Sequence, residues 1–112
     1  MGADGSTHTG RHRGDATVVH LATGIAIRDG RLLMVASRYP SQPQPLWNLP
    51  GGRQQPGELL TESVVREFFE ETGLHVRVES LAYVSESYDG QRHYMNATFL
   101  VELSPTLRQA QG

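Results

Sequence analysis

Hydrophobic and polar positions alternate differently along the chain, and the changes of period mark its elements. Val18 to Arg28 is rich in β-branched and small apolar residues, followed by Asp29-Gly30, a strong hairpin signal. Arg31 to Ser37 reads as the returning strand, so the pair predicts a hairpin with one face in a core. Ser41 to Pro45 carries prolines that cannot donate ladder hydrogen bonds and predicts a loop. Leu46 to Leu49 predicts a short strand ending at Pro50-Gly51-Gly52. The period then lengthens: Val64, Val65, Phe68 and Phe69 form a stripe at helical spacing, predicting a helix over Leu59 to Thr72 with Gly73 at its C-cap. His75 to Tyr88 predicts a long strand, Asp89-Gly90 a second hairpin turn, and Arg92 to Leu103 its return.

Outside this patterned stretch the chain changes character. Residues 1–16 are small, polar and Gly-rich and predict a flexible leader; His8, His12, Arg11 and Arg13 there read as solvated. The expectation is one domain over 17–104 and a loose tail over 105–112. With strands and a helix mixed, the fold class is α/β in the broad α+β sense.

Composition narrows the picture. The formal net charge is −2, so no broad basic surface for nucleic acid is implied. Every non-histidine cation is arginine, a residue that grips phosphate through a two-pronged fork. The absence of cysteine removes disulfides, thiolate metal sites and thiol nucleophiles together, and fits a cytoplasmic protein. No apolar run is long enough to span a bilayer, and the start lacks the apolar centre of a signal peptide.

The segment from Gly52 to Leu74 carries the chemistry. Glu67, Glu70 and Glu71 stand at i, i+3 and i+4, spacings that share one helix face. Three neighbouring carboxylates repel one another, and a hard cation such as Mg2+ or Mn2+, which prefers oxygen ligands, would relieve the repulsion. Taken alone the pattern more often marks a solvated acidic face, since surface helices are commonly Glu-rich; the surrounding glycines and Arg66 turn the reading towards a metal. Gly51 and Gly52 permit close backbone approach just before the helix. Arg66 is placed to pair with Glu58 or Glu70 and hold a carboxylate in position.

The fixed points Gly52, Glu58, Arg66, Glu67, Glu70, Glu71 and Gly73, with apolar Phe68 and Leu74, match the box G-x5-E-x7-R-E-U-x-E-E-x-G-U of the Nudix (MutT-like) family at every position. A chance match at a given start is on the order of 10^-9 from average residue usage. The chain therefore resembles that family over roughly residues 17 to 103. The resemblance implies an α-β-α sandwich around a mixed sheet, with the C-terminal strand and helix missing or shortened. It implies a metal-dependent hydrolase cleaving the diphosphate linkage of a nucleoside diphosphate derivative, of the nucleoside triphosphate or nucleotide-sugar type. Mg2+, with Mn2+ as an alternative, would be held by Glu67, Glu70, Glu71 and the carbonyl of Gly51. Glu70 is the candidate base; Arg66 and Glu58 would orient and support the carboxylates. Trp47, Arg38 and Gly52 are candidate substrate contacts, with Tyr39 and Tyr83 as further stacking candidates and Arg28 and Arg92 as further phosphate contacts. His93, Glu86 and Glu102 are alternative bases. Relatives that cleave ADP-ribose often carry a Pro about fifteen residues past the box, where this chain has Asp89. The expected partners are small nucleotides, with no nucleic acid and no membrane. Two other readings stand beside the enzyme: a module that holds a nucleotide without turnover, and a chain completed as a homodimer or other oligomer.

Overall fold

The computed structural model describes residues 17–38 and 40–104. The leader at 1–16, the tail at 105–112 and Tyr39 lie outside the described residues. The elements run β1 (Thr17–Ile25), β2 (Ile27–Arg28), β3 (Arg31–Leu32), β4 (Val35–Ser37), β5 (Leu46–Asn48), β6 (Gly51–Arg53), α1 (Leu60–Thr72), β7 (Val76–Asp89) and β8 (Arg92–Leu103). Four strands form the main sheet in the order β6-β1-β8-β7. β1 runs parallel to β8 and antiparallel to β6, while β7 and β8 form a long antiparallel hairpin. The sheet is mixed, and α1 packs on one face of it.

Binary pattern explains the layers. Ala22, Ala97, Phe99 and Val101 project from β1 and β8 into the core beneath α1, where Val64 and Phe68 are fully buried. Leu60, Val65, Leu74, Val78 and Leu103 pack around them, half-buried. Each fully buried side chain of this size stabilises the fold by about 1.5–3 kcal/mol relative to exposure. The helix begins at Leu59, whose amide donates to the Glu62 carboxylate at 2.8 Å. Leucine has no side-chain acceptor, so this is only the return half of a capping box. It ends at Gly73, φ 76°, whose N–H donates to the Phe69 carbonyl at 2.8 Å.

The first predicted hairpin is redrawn by the fold. Its turn forms as expected, with Asp29 (φ 53°) and Gly30 (φ 75°) both left-handed. Yet the ladder around it is only two residues long on each side, and Ile27 and Leu32 are exposed rather than core-facing. The chain leaves regular strand at Ala26 because β1 is committed to the sheet centre between β6 and β8. The expected returning strand divides likewise: its second half, β4, pairs with β5, so that Ala36 lies opposite Trp47. Gly51 and Gly52 belong to a strand as well as to a turn, since β6 pairs Thr23 with Gly51 and Ala22 with Gly52.

Candidate metal and diphosphate site

The candidate site lies where α1 passes β6, the edge strand formed by the glycine pair. Close approach is its organising feature. A methyl group on Gly51 would fall 2.2 Å from the Ala22 carbonyl oxygen and 2.7 Å from Thr23 Cα. One on Gly52 would fall 2.4 Å from a Glu67 carboxylate oxygen. The space a side chain would fill at Gly52 is thus taken by Glu67, and the backbone reaches the helix face. Glu71 binds the same strand directly: its Oε1 accepts the Gly51 N–H at 3.1 Å.

Arg66 holds the other carboxylates. Its Nε donates to Glu58 at 2.6 Å and its Nη2 to the second Glu58 oxygen at 3.1 Å, a two-pronged pair. Nη1 donates to Glu67 at 3.2 Å and Glu70 at 3.1 Å, and Nη2 also to the Arg53 carbonyl at 3.0 Å. Sequence spacing left Glu58 and Glu70 as alternatives for this arginine; the guanidinium serves both and Glu67 besides. Glu58 is fixed from two further sides, by the Gln55 N–H at 2.9 Å and the Ser63 hydroxyl at 2.8 Å. Ser63 is fully buried. Nothing in the residue pattern singled it out, although it stands five residues after Glu58, in the first turn of α1.

Electrostatics follow from this geometry. The Arg66 guanidinium, with the Gln55 amide, holds the Glu58 carboxyl down to about 2 from its ordinary 4.5. Reciprocally, Glu58 and then Glu67 and Glu70 raise Arg66. Glu71 moves the other way: desolvation pushes it up, Glu67 and Glu70 add like-charge repulsion, and the Gly51 N–H offsets part of the rise. One guanidinium therefore serves three carboxylates, with Glu71 close beside Glu67 and Glu70, and the group retains surplus negative charge. The donors are all oxygen, which suits a hard divalent cation. Among the described residues no three acidic or histidine side chains already converge as a cage for an ion. Glu67 and Glu70 instead point to Arg66, and Glu71 to Gly51.

The remaining candidates lie elsewhere. Trp47 stands on β5, four residues before Gly51, with 62% of its surface exposed, and Arg38 is exposed just beyond β4. Tyr83 is half exposed on β7, and Arg28 is exposed on the short hairpin. Arg92 is exposed beside the β7–β8 turn, where Tyr94, by hydrogen bond and charge, raises its pKa. His93 pairs with Glu86 at 2.8 Å and stacks on Tyr88, centroids 4.5 Å apart, while Glu102 pairs with Arg77. These alternative bases are engaged with partners on β7 and β8. No helix among the described residues is long and apolar enough to cross a membrane.

Comparison with known proteins places this geometry in a family. The NUDIX domain model matches residues 18–112, and the chain belongs to that family. It is 35% identical over 82 residues to an ADP-ribose pyrophosphatase of Methanocaldococcus jannaschii, a match covering 71% of this chain and 48% of that protein. It is 37% identical over 76 residues to the human 8-oxo-dGDP phosphatase NUDT18, covering 68% of this chain and 23% of the relative. The chain thus spans half or less of the length of these two relatives. The solution structure of the E. coli ORF135 protein shares its fold, with a TM-score of 0.71 at 23% identity over 81% of this chain and 69% of that one.

Proposed function

We propose that the chain hydrolyses the diphosphate linkage of a nucleoside diphosphate derivative with the help of Mg2+ or Mn2+. The observation that carries this reading is the seating of Glu67 in the space beside Gly52, with Glu71 on the Gly51 amide, in a chain that keeps every fixed position of the Nudix box. Glu67, Glu70, Glu71 and the Gly51 carbonyl would hold the metal. A bound divalent cation supplies charge neutralisation at the diphosphate and Lewis acidity at phosphorus. The protein's own residues do the rest. Arg66, fixed by Glu58, keeps Glu67 and Glu70 in register with β6. Glu70, the more exposed of the Arg66-bound carboxylates, accepts a proton from the attacking water as one P–O bond of the anhydride breaks. Trp47 and Arg38 offer a stacking face and a phosphate contact to the departing or retained nucleotide.

The names of the matched relatives, an ADP-ribose pyrophosphatase and an 8-oxo-dGDP phosphatase, support a nucleotide diphosphate as the ligand class. The deciding experiment is a panel of nucleoside di- and triphosphates and nucleotide sugars incubated with Mg2+ or Mn2+, followed for nucleoside monophosphate or phosphate release. Glu71→Gln should abolish turnover while leaving the far-ultraviolet circular dichroism unchanged. Binding without turnover across the whole panel would overturn the hydrolase reading in favour of a nucleotide-holding module.

A further inference from the structure

Strand β7 is built like the interior of a sheet but lies at its edge. It is 14 residues long, β8 pairs with one side of it, and no strand of the described residues pairs with the other. Proteins usually blunt such an edge with a short strand, proline or lysine. The opposite edge, β6, is only three residues long. β7 contains neither proline nor lysine, and from Ser80 to Ser85 it carries no charge at all. Apolar side chains project from both of its faces: Leu81 and Val84 lie opposite the core residues Phe99 and Ala97, and Tyr83 lies opposite Thr98. All three are half exposed. Two register shifts, which leave Glu79 and Ala82 outside the β8 ladder, add twist, and the charged residues stand only towards the ends of the strand.

We infer that the outer edge of β7 is the interface with a second copy of this chain, the two β7 strands pairing antiparallel across a twofold axis at Val84. The occupant follows from pairing and charge. An edge strand is completed by another strand, and the longest unpaired strand edge among the described residues is β7 itself. A twofold contact is the commonest closed arrangement for identical subunits. The register follows from the four charged residues of the strand, Arg77, Glu79, Glu86 and Asp89. The two register shifts shorten the first half of β7, so Arg77 and Asp89 each lie five rungs of the β8 ladder from Val84, and a pairing centred on Val84 sets Arg77 against Asp89 of the second copy at both ends. It sets Glu86 against Leu81 and leaves Glu79, at the first register shift, between Ser87 and Tyr88 of the second copy. Moving the axis one rung back, to Tyr83, would bring Glu79 beside Glu86, and moving it one rung forward, to Ser85, would bring Glu79 beside Asp89. Like charges directly opposite one another destabilise a sheet. Arg77 reaches Glu102 on its own sheet, so each end would carry a three-charge cluster. The product is a continuous eight-stranded sheet, four strands from each copy.

The absence of cysteine makes the register directly measurable. Facing residues of antiparallel strands have Cα atoms about 4.5–5.5 Å apart, within disulfide reach. Sedimentation equilibrium of the unaltered chain should show a concentration-dependent dimer. Under mild oxidation Val84→Cys, which would face its own copy, should cross-link at least about tenfold faster than Ser87→Cys, placed away from the axis. Val84→Lys, which puts a charge on the edge, should dissociate the dimer with unchanged circular dichroism. A monomer at every concentration overturns the inference. A dimer with equal cross-linking at both positions, or one unaffected by Val84→Lys, overturns the assignment to β7.

Discussion

Arg66 Nε lies 2.6 Å from Glu58 Oε2, and the same guanidinium reaches Glu67 and Glu70 through a different nitrogen. A single side chain thus links the loop before the helix to two carboxylates on it. Lysine cannot reproduce this, because an ammonium lacks the planar fork. Arg66→Lys is expected to lower metal affinity and turnover by roughly 10–100-fold, the usual cost of removing a group that orients a ligand. Glu58→Gln should cost a similar factor, and the double variant should cost less than the product of the two, because both act through one contact. Isothermal titration with Mn2+ and steady-state rates check this; independent, multiplicative losses would contradict it.

Gly51 and Gly52 should fail in different ways. At Gly52 an added methyl meets the end of a flexible Glu67 side chain, so Gly52→Ala should leave the unfolding midpoint nearly unchanged and impair metal binding. At Gly51 the methyl meets Ala22 and Thr23 main chain, which cannot yield without loosening the β1–β6 ladder. Overpacking of this kind costs about 1–3 kcal/mol. Urea unfolding of both variants beside Mn2+ titration separates the two outcomes.

Phe68 anchors α1 to the sheet and is fully buried among Val64, Ala22 and Phe99. Phe68→Ala should destabilise the chain by about 3–5 kcal/mol. Phe69 follows it in sequence but is half exposed, tilted against His75 at 4.4 Å, and Phe69→Ala should cost far less. Comparing the two denaturation midpoints tests the assignment of the buried face.

Glu58 gives a defined dependence on pH. Its folded pKa is about 2 against an ordinary 4.5, so the folded state favours its charged form. The resulting stabilisation is complete above about 4.5 and fades as pH falls towards 2. Glu58→Gln should remove that part of the acid sensitivity, so its unfolding midpoint should fall less between pH 5 and pH 3 than that of the unaltered chain. Parallel curves over this interval would contradict the role given to Arg66.

The helix and its carboxylates could be read from sequence because their geometry is local. Spacings of three and four residues on a helix fix which side chains are neighbours, and Gly73 marks its end. The sheet could not be read the same way. That β1 runs parallel to β8, more than seventy residues away, depends on non-local pairing that no short pattern encodes. The Asp29-Gly30 turn was legible, but the length of its ladder was not, because the competition between hairpin and sheet centre is decided at Ala26 by tertiary contacts. Ser63 escaped notice for a related reason: its hydroxyl matters only once Glu58 has been folded back against the helix.

The bond from the Gly51 amide to Glu71 also supplies a built-in reporter. An N–H shared with a carboxylate senses what else that carboxylate holds. If an ion draws Glu71 away from the strand, this one proton loses its acceptor, and its chemical shift and solvent exchange change without any movement of the sheet. A single peak in a two-dimensional amide spectrum would then read occupancy of the site, with no substrate and no turnover required.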